Sequence, residues 1–264
     1  LGYVGDASKQ SGYTLAELKF DVLEPTDGPA SNRPAVLMIH GGSFKGGSKA
    51  DEDLVAVADG LASRGYVCFL IDYRVQDDDP PPVTSWNPDV DLKALDIPSL
   101  AAVRAAFVDA KTAMRHIRAN SAQYGVDPSR IAVWGESAGA FMALAAGLTE
   151  PQEFATDGEG FPVPPENNPG VDPVPQAIVE CWGSALFTAE AFDVADPPIM
   201  IFHGTNDTTV LFIYALNIAA ECQNLGIPYR SYIIPGGGHG CWECEYDGQD
   251  LTELTLEFLS DFLL

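Results

Sequence analysis

A short apolar run, residues 131–134, leads without a linker into Gly135-Glu136-Ser137-Ala138-Gly139, and an Ala-rich apolar stretch follows to residue 149. Four apolar, partly β-branched residues suit a strand covered on both faces. Glycines on either side of the serine remove the side chains that would clash where a strand folds back abruptly into a helix. Ser137 is left in a tight, strained position with its hydroxyl exposed. The first turn of the following helix aims unpaired N–H groups at whatever that hydroxyl attacks. A glycine-flanked packing turn is the bland alternative for five such residues. What decides between them is whether the rest of the chain supplies the partners a serine nucleophile needs.

The flanking pattern repeats the theme of strand and then helix. Apolar strands are expected at residues 35–39, 66–72, 177–181, 198–203 and 229–234, with a loosely alternating, edge-type strand at 15–23. Helices are expected at 51–64, 99–119, 209–225 and 251–262, with Gly65 and Gly226 placed to stop the first and third. Strands alternating with helices imply an α/β fold, a mostly parallel central sheet with helices on both faces. One domain over residues 1–264 is expected. Residues 75–98, acidic and Pro-rich, and residues 150–176, rich in Pro, Gly and Asn, read as long loops over a site rather than as a second domain.

Composition removes several classes of function. Lys and Arg number 14 against 38 Asp and Glu, a net charge of −24. That balance argues against nucleic acid and anionic membrane surfaces, which require basic patches. No apolar run approaches the ~20 residues needed to cross a bilayer. The first residue is Leu rather than Met, which reads as a chain that starts after something was removed. Of five cysteines, Cys68 lies inside an apolar strand and reads as a buried thiol. Cys181, Cys222, Cys241 and Cys244 allow up to two disulfides, which favours a secreted setting over the cytoplasm. Cys241-x-x-Cys244 has no second ligand pair and no strand-then-helix redox context, so metal and redox roles are set aside. No cofactor and no metal are expected. The charge runs at residues 49–53 and 77–79 read as solvated loop faces.

In a parallel α/β sheet, ligands bind beyond the carboxyl ends of the strands. Four expected strand ends carry chemistry: His40-Gly41-Gly42, Ser137, Asp207 and His239. A serine hydroxyl is a poor nucleophile at neutral pH and needs an imidazole to take its proton. The imidazole in turn needs a carboxylate to fix its tautomer. The chain order Ser137, Asp207, His239 is the nucleophile–acid–histidine order of one fold in particular. His203 is the competitor as base but reads better as a structural partner of the Asp207 turn. His116 reads as a helix-surface residue, and His40 as the holder of its glycine loop. Asp193 and Asp196 follow a strand less directly than Asp207. Gly41 and Gly42, with Ala138, are expected to turn backbone N–H groups toward an oxyanion. A phosphate cradle is excluded because no Gly-Lys-Ser/Thr follows the glycines.

These residues resemble the α/β-hydrolase superfamily, its carboxylesterase and hormone-sensitive-lipase-like group. His40-Gly41-Gly42-Ser43 is similar to that group's HGG oxyanion motif, with Ser43 where many members carry a third glycine. Gly135-Glu136-Ser137-Ala138-Gly139 is similar to its GESAG elbow. His203-Gly-Thr-Asn-Asp207 and Gly238-His239-Gly240 are similar to its acid and histidine loops. The resemblance spans about residues 15 to 262 and departs in a small or absent cap and in the Cys-Trp-Glu-Cys after His239. It implies a serine carboxylic-ester hydrolase working through an acyl-enzyme on small or short-acyl esters. Feruloyl or acetyl-xylan esters and arylformamides are alternative substrates on the same scaffold, and a non-catalytic binding protein is the remote alternative. Phe44, Trp86, Phe141, Trp182, Phe187 and Trp242 are the candidate pocket walls. A small-molecule ester is the expected partner, and the sequence fixes no oligomeric state. The sequon at Asn206 overlaps the expected acid and is expected to be unused.

Overall fold

The computed structural model of the chain describes residues 2–5, 13–83, 85–158 and 160–264, so residues 84 and 159 of the two expected loops lie outside it. Its frame is a seven-stranded sheet in the order β3-β5-β4-β6-β7-β8-β9. The strands are β3 (Phe20–Leu23), β4 (Arg33–Ile39), β5 (Val67–Ile71), β6 (Val126–Glu136), β7 (Ile178–Cys181), β8 (Ile199–Gly204) and β9 (Tyr229–Ile234). All neighbours run parallel except β3, which pairs antiparallel with β5 at the edge. The expected strand at 15–23 is divided. Thr14–Ala16 (β2) leaves the sheet to form a two-stranded ribbon with Gly2–Val4 (β1), and only β3 joins the main sheet.

Alternation along β4 shows why its run is apolar throughout. Ala35, Leu37 and Ile39 face one core while Val36 and Met38 face the other, and none is exposed. A strand buried on both faces cannot alternate with polar residues. Helices α2 (Leu100–Ala119), α3 (Ala138–Leu148) and α4 (Ile213–Leu225) cover the first face. Helices α1 (Glu52–Ala62) and α5 (Leu251–Leu263) cover the second and touch each other. Every residue of α3 is buried, as a helix apolar all round must be.

The helix starts are written locally. Asp51 accepts the amides of Asp53 (3.1 Å) and Leu54 (3.2 Å) ahead of α1. Ser99 accepts that of Ala102 (3.2 Å) ahead of α2. Asp250 and Glu253 close a reciprocal capping box at α5. One start differs from expectation. Helix α4 begins at Ile213 rather than at residue 209, after a turn in which the amides of Thr209 and Val210 donate to the Asp207 carboxylate at 2.8 and 2.9 Å.

The strand order reverses between β4 and β6. From β4 the chain moves outward to β5, then returns to the far side of β4 as β6. Connections leaving the two strands diverge there and open a crevice, the place where open α/β sheets bind ligands. The end of β4 carries His40-Gly41-Gly42 and the end of β6 carries Ser137. The two long loops hold only single turns of 3₁₀-helix (Gln76–Asp78 and Pro165–Asn167) among their described residues. No helix among the described residues is long and apolar enough to cross a membrane.

Candidate active site

Ser137 sits between β6 and α3 at φ 50° and ψ −119°, a region that a residue with a side chain occupies only under constraint. The constraint is backbone on backbone. A side chain on Gly135 would lie 2.1 Å from the carbonyl oxygen of Gly139, and one on Gly139 would lie 2.1 Å from that of Ile39. Both glycines are therefore required for the elbow to rest against the end of β4. The Ser137 amide is tied to the Cys181 carbonyl at 2.9 Å. The side chain is left at the mouth of the crevice.

Three expected residues meet there. The Ser137 hydroxyl lies 2.9 Å from Nε2 of His239, and Nδ1 of His239 lies 2.8 Å from Oδ2 of Asp207. The loops carrying the acid and the histidine close directly on each other, since a side chain on Gly204 would stand 2.2 Å from the Gly237 carbonyl oxygen. Asp207 has no exposed side-chain surface, whereas the His239 side chain is 24% exposed. Burial works against charge on Asp207. The bonds from His203 and His239, the His239 charge and the Thr209 amide outweigh burial and hold the carboxyl well below the usual carboxylate range. An ionised Asp207 accepts from Nδ1–H, which leaves Nε2 as the acceptor for the serine proton.

One of the three amides expected to face an oxyanion already has a partner. The amide of Gly41 donates to the carboxylate of Glu136, the residue preceding Ser137, so Gly41 is not a free donor. Gly42, at φ 118°, and Ser43, at φ 53°, turn the chain after it. A side chain on Gly42 would strike the Gly46 carbonyl at 2.2 Å. The amides of Gly42 and Ser43 make no hydrogen bond among the described residues, and that of Ala138 opens α3 without an intrahelical partner. Glu136 was given no role by sequence reasoning. It also accepts the Trp182 indole N–H at 3.0 Å, and burial pushes its carboxyl above the ordinary range. His40 and Tyr73 brace the same turn. The rings stack at 4.4 Å, His40 Nδ1 lies 2.7 Å from the Gly41 carbonyl oxygen, and the Tyr73 hydroxyl donates to the carbonyls of His40 and Gly41, both at 3.1 Å.

Six aromatics were expected as pocket walls, and they divide into three pairs. Phe44 and Phe141 line a small pocket beside Ser137 together with Leu95, Ile97 and Val210. Its volume, about 10 Å³, is on the order of one water molecule. Trp86 and Phe187 instead line a separate cleft of about 770 Å³ with Phe154, Pro88 and Leu186. The Phe141 and Phe187 rings, 5.8 Å apart, stand between the two spaces. Trp182 and Trp242 line neither. They pack edge to face at 5.0 Å behind the histidine loop, with Trp242 stacked on Trp134 at 5.9 Å.

The cysteines resolve in the same frame. Cys181 faces the core on the α1/α5 side and Cys222 the core on the α2/α3/α4 side, so the sheet separates them and both are free. Cys241 and Cys244 pair across the turn after His239, with Cα atoms 5.3 Å apart. Among the described residues no group of His, Cys, Asp and Glu is arranged to hold a metal ion.

Comparison with known proteins agrees with this frame. The chain spanning residues 20–86 and 98–190 matches the BD-FAE family, and residues 180–263 match the prolyl oligopeptidase family. It is 28% identical to the esterase LipC of Mycobacterium tuberculosis over 250 residues, 83% of this chain and 56% of LipC. It is 29% identical to a chlorogenic acid esterase of Aspergillus niger over 122 residues, 46% of this chain and 21% of that protein. The chain thus spans about half of LipC and about a fifth of the fungal enzyme. The propionate-bound thermophilic esterase Est2 of Thermogutta terrifontis superposes with a TM-score of 0.74 at 24% identity, covering 94% of this chain and 91% of Est2. That likeness establishes the fold. With the family model matching both the HGG turn and the elbow, the chain belongs to the BD-FAE family on the α/β-hydrolase fold.

Proposed function

We propose that this protein hydrolyses carboxylic esters through Ser137, His239 and Asp207. The observation that carries the reading is the unbroken path from the Ser137 hydroxyl through His239 to the ionised Asp207, at 2.9 and 2.8 Å. Ser137 Oγ attacks the ester carbonyl carbon as its proton passes to His239 Nε2. The resulting oxyanion is met by the amides of Ala138, Gly42 and Ser43, each such donor lowering the barrier by about 3 kcal/mol. The tetrahedral intermediate collapses, His239 returns the proton to the departing alcohol, and an acyl group remains on Ser137. Water then repeats the sequence and releases the acid.

The pocket beside Ser137 favours an acetyl-sized acyl group, because Phe44 and Phe141 close it off. The aromatic cleft around Trp86, Phe154 and Phe187 suits a larger, flat portion of the same substrate, on the alcohol side, once Phe141 turns aside. It also sustains a second reading, in which an aromatic acyl group such as feruloyl enters that cleft after Phe141 turns aside. A panel of p-nitrophenyl esters from acetate to octanoate, with acetylated sugars and a feruloyl ester, tests both. The first reading expects kcat/KM to be highest for acetate and to fall with each added carbon. A maximum at feruloyl would favour the second, and no turnover of any ester would remove both.

A further inference from the structure

The mechanism above does not use His203 or Glu180, two fully buried titratable side chains. His203 is the penultimate residue of β8 and Glu180 lies in β7. The register pairs Glu180 with Ile201, so on parallel strands the side chains of 180, 201 and 203 share one face of the sheet. His203 Nε2 lies 2.8 Å from the Val210 carbonyl oxygen and 3.3 Å from Asp207 Oδ2. Both neighbours are acceptors, so Nε2 carries a hydrogen.

The far side of the ring is the unusual one. Nδ1 of His203 and Oε1 of Glu180 are each buried without a hydrogen-bond partner, while the other Glu180 oxygen accepts the Gly183 amide at 2.9 Å. The two side chains make no hydrogen bond or ion pair with each other, so Glu180 acts on His203 through its charge across the buried sheet face.

We propose that His203 is a positioning residue for Asp207, contacting Oδ2, the same carboxylate oxygen that His239 contacts, and that the buried Glu180 carboxyl on the same sheet face supports His203 through its charge. The inference rests on the Ser137–His239–Asp207 reading. Its consequence is electrostatic as well as geometric. A carboxylate that already accepts from His203 is a weaker base toward His239, and it stabilises the imidazolium of the resting enzyme less. The groups around His203 are consistent with this. Burial pushes Glu180 up to about 7, with the His203 charge and the Gly183 amide opposing it and Asp207 adding to it. Burial opposes charge on His203, and Asp207, Glu180 and Val210 together overcome it. The Cys181 and Cys222 thiols near Glu180 are held protonated by burial, and the Phe212 ring ahead of α4 stands 6.2 Å from the imidazole.

The test is steady-state turnover of p-nitrophenyl acetate by the full chain from pH 5 to 9, for wild type, H203A, H203Q and E180Q. H203A is expected to lose roughly tenfold to a hundredfold in kcat with KM within twofold, the size of effect a lost charged hydrogen bond gives. Its acid limb should move to higher pH, because Asp207, short of one donor, binds the His239 proton more tightly. H203Q restores an N–H donor and should recover most of kcat. E180Q should move the acid limb the same way by a smaller amount. A cooperatively folded H203A with wild-type kcat and an unmoved limb overturns the proposal. Should H203A not fold, E180Q decides alone, and an unmoved limb overturns it. An inert S137A beside an unaltered H203A would remove only this inference, whereas an active S137A would remove the triad itself.

Discussion

Asp109 and Asp207 are both buried against basic side chains, and only the second stands beside an imidazole that reaches a serine hydroxyl. Asp109, in the middle of α2, meets Arg74 just after β5, with side chains 1% and 0% exposed. The pair is closed on every side. Asp109 accepts the Arg74 amide at 2.9 Å, Nε at 2.9 Å and Nη2 at 2.7 Å, and Nη2 also reaches Asp157 at 2.7 Å and the Ala105 carbonyl at 3.2 Å. Burial works against the guanidinium charge, and the two carboxylates overcome it. Asp207 is as deeply buried, yet its partners are imidazoles, and the one facing Ser137 is partly open to solvent. A guanidinium never gives up its proton, so Asp109 fixes geometry alone. An imidazole exchanges a proton near neutral pH, so Asp207 can direct one. The same burial of charge gives a clamp in one place and a relay in the other, according to which cation stands opposite.

Substitutions should separate the two. The largest effect is expected at S137A, with turnover down by at least about ten-thousand-fold and the thermal midpoint little changed. Loss of turnover through unfolding instead would contradict this. D207N should come next, because an amide cannot hold the Nδ1–H tautomer, and a fall in kcat of about ten-thousand-fold is the scale for that loss. The wild-type acid limb of kcat/KM should follow a single proton, because Asp207 is held ionised well below the usual carboxylate range. A slope of two at the acid limb would break the comparison. D109A should do the reverse. Taking from the buried Arg74 the carboxylate that accepts its amide, Nε and Nη2, and leaving it Asp157, should lower stability by about 3 kcal/mol in urea titrations, with kcat of the folded fraction within a few-fold of wild type. The smallest effect belongs to the Cys241–Cys244 bridge. Its loop is so short that C244S should remove no more than about 2 kcal/mol of stability.

Much of this was legible along the chain because it is local. The elbow is strand, glycine-flanked serine and helix in one continuous stretch, and the acid and histidine each follow an apolar run that can only be a buried strand. What was not legible depends on residues far apart. The pairing of the Gly41 amide with Glu136 joins two loops across β4 and β6, and no periodicity reports it. It occupies one of the three amides expected to face an oxyanion. Aromatic residues announce burial without saying which cavity they face. Trp182 and Trp242 became packing, while Phe44 and Phe141 became walls. The odd cysteine count was informative only after the sheet was seen to stand between Cys181 and Cys222.

The most direct test of the ester-hydrolase account is to trap the covalent intermediate. Wild-type protein quenched in acid during turnover of p-nitrophenyl acetate, then digested and read by mass spectrometry, should carry an acetyl group on the peptide containing Ser137, and the H239A protein should carry none. Acetyl on another residue, or steady turnover with Ser137 never modified, would contradict the account.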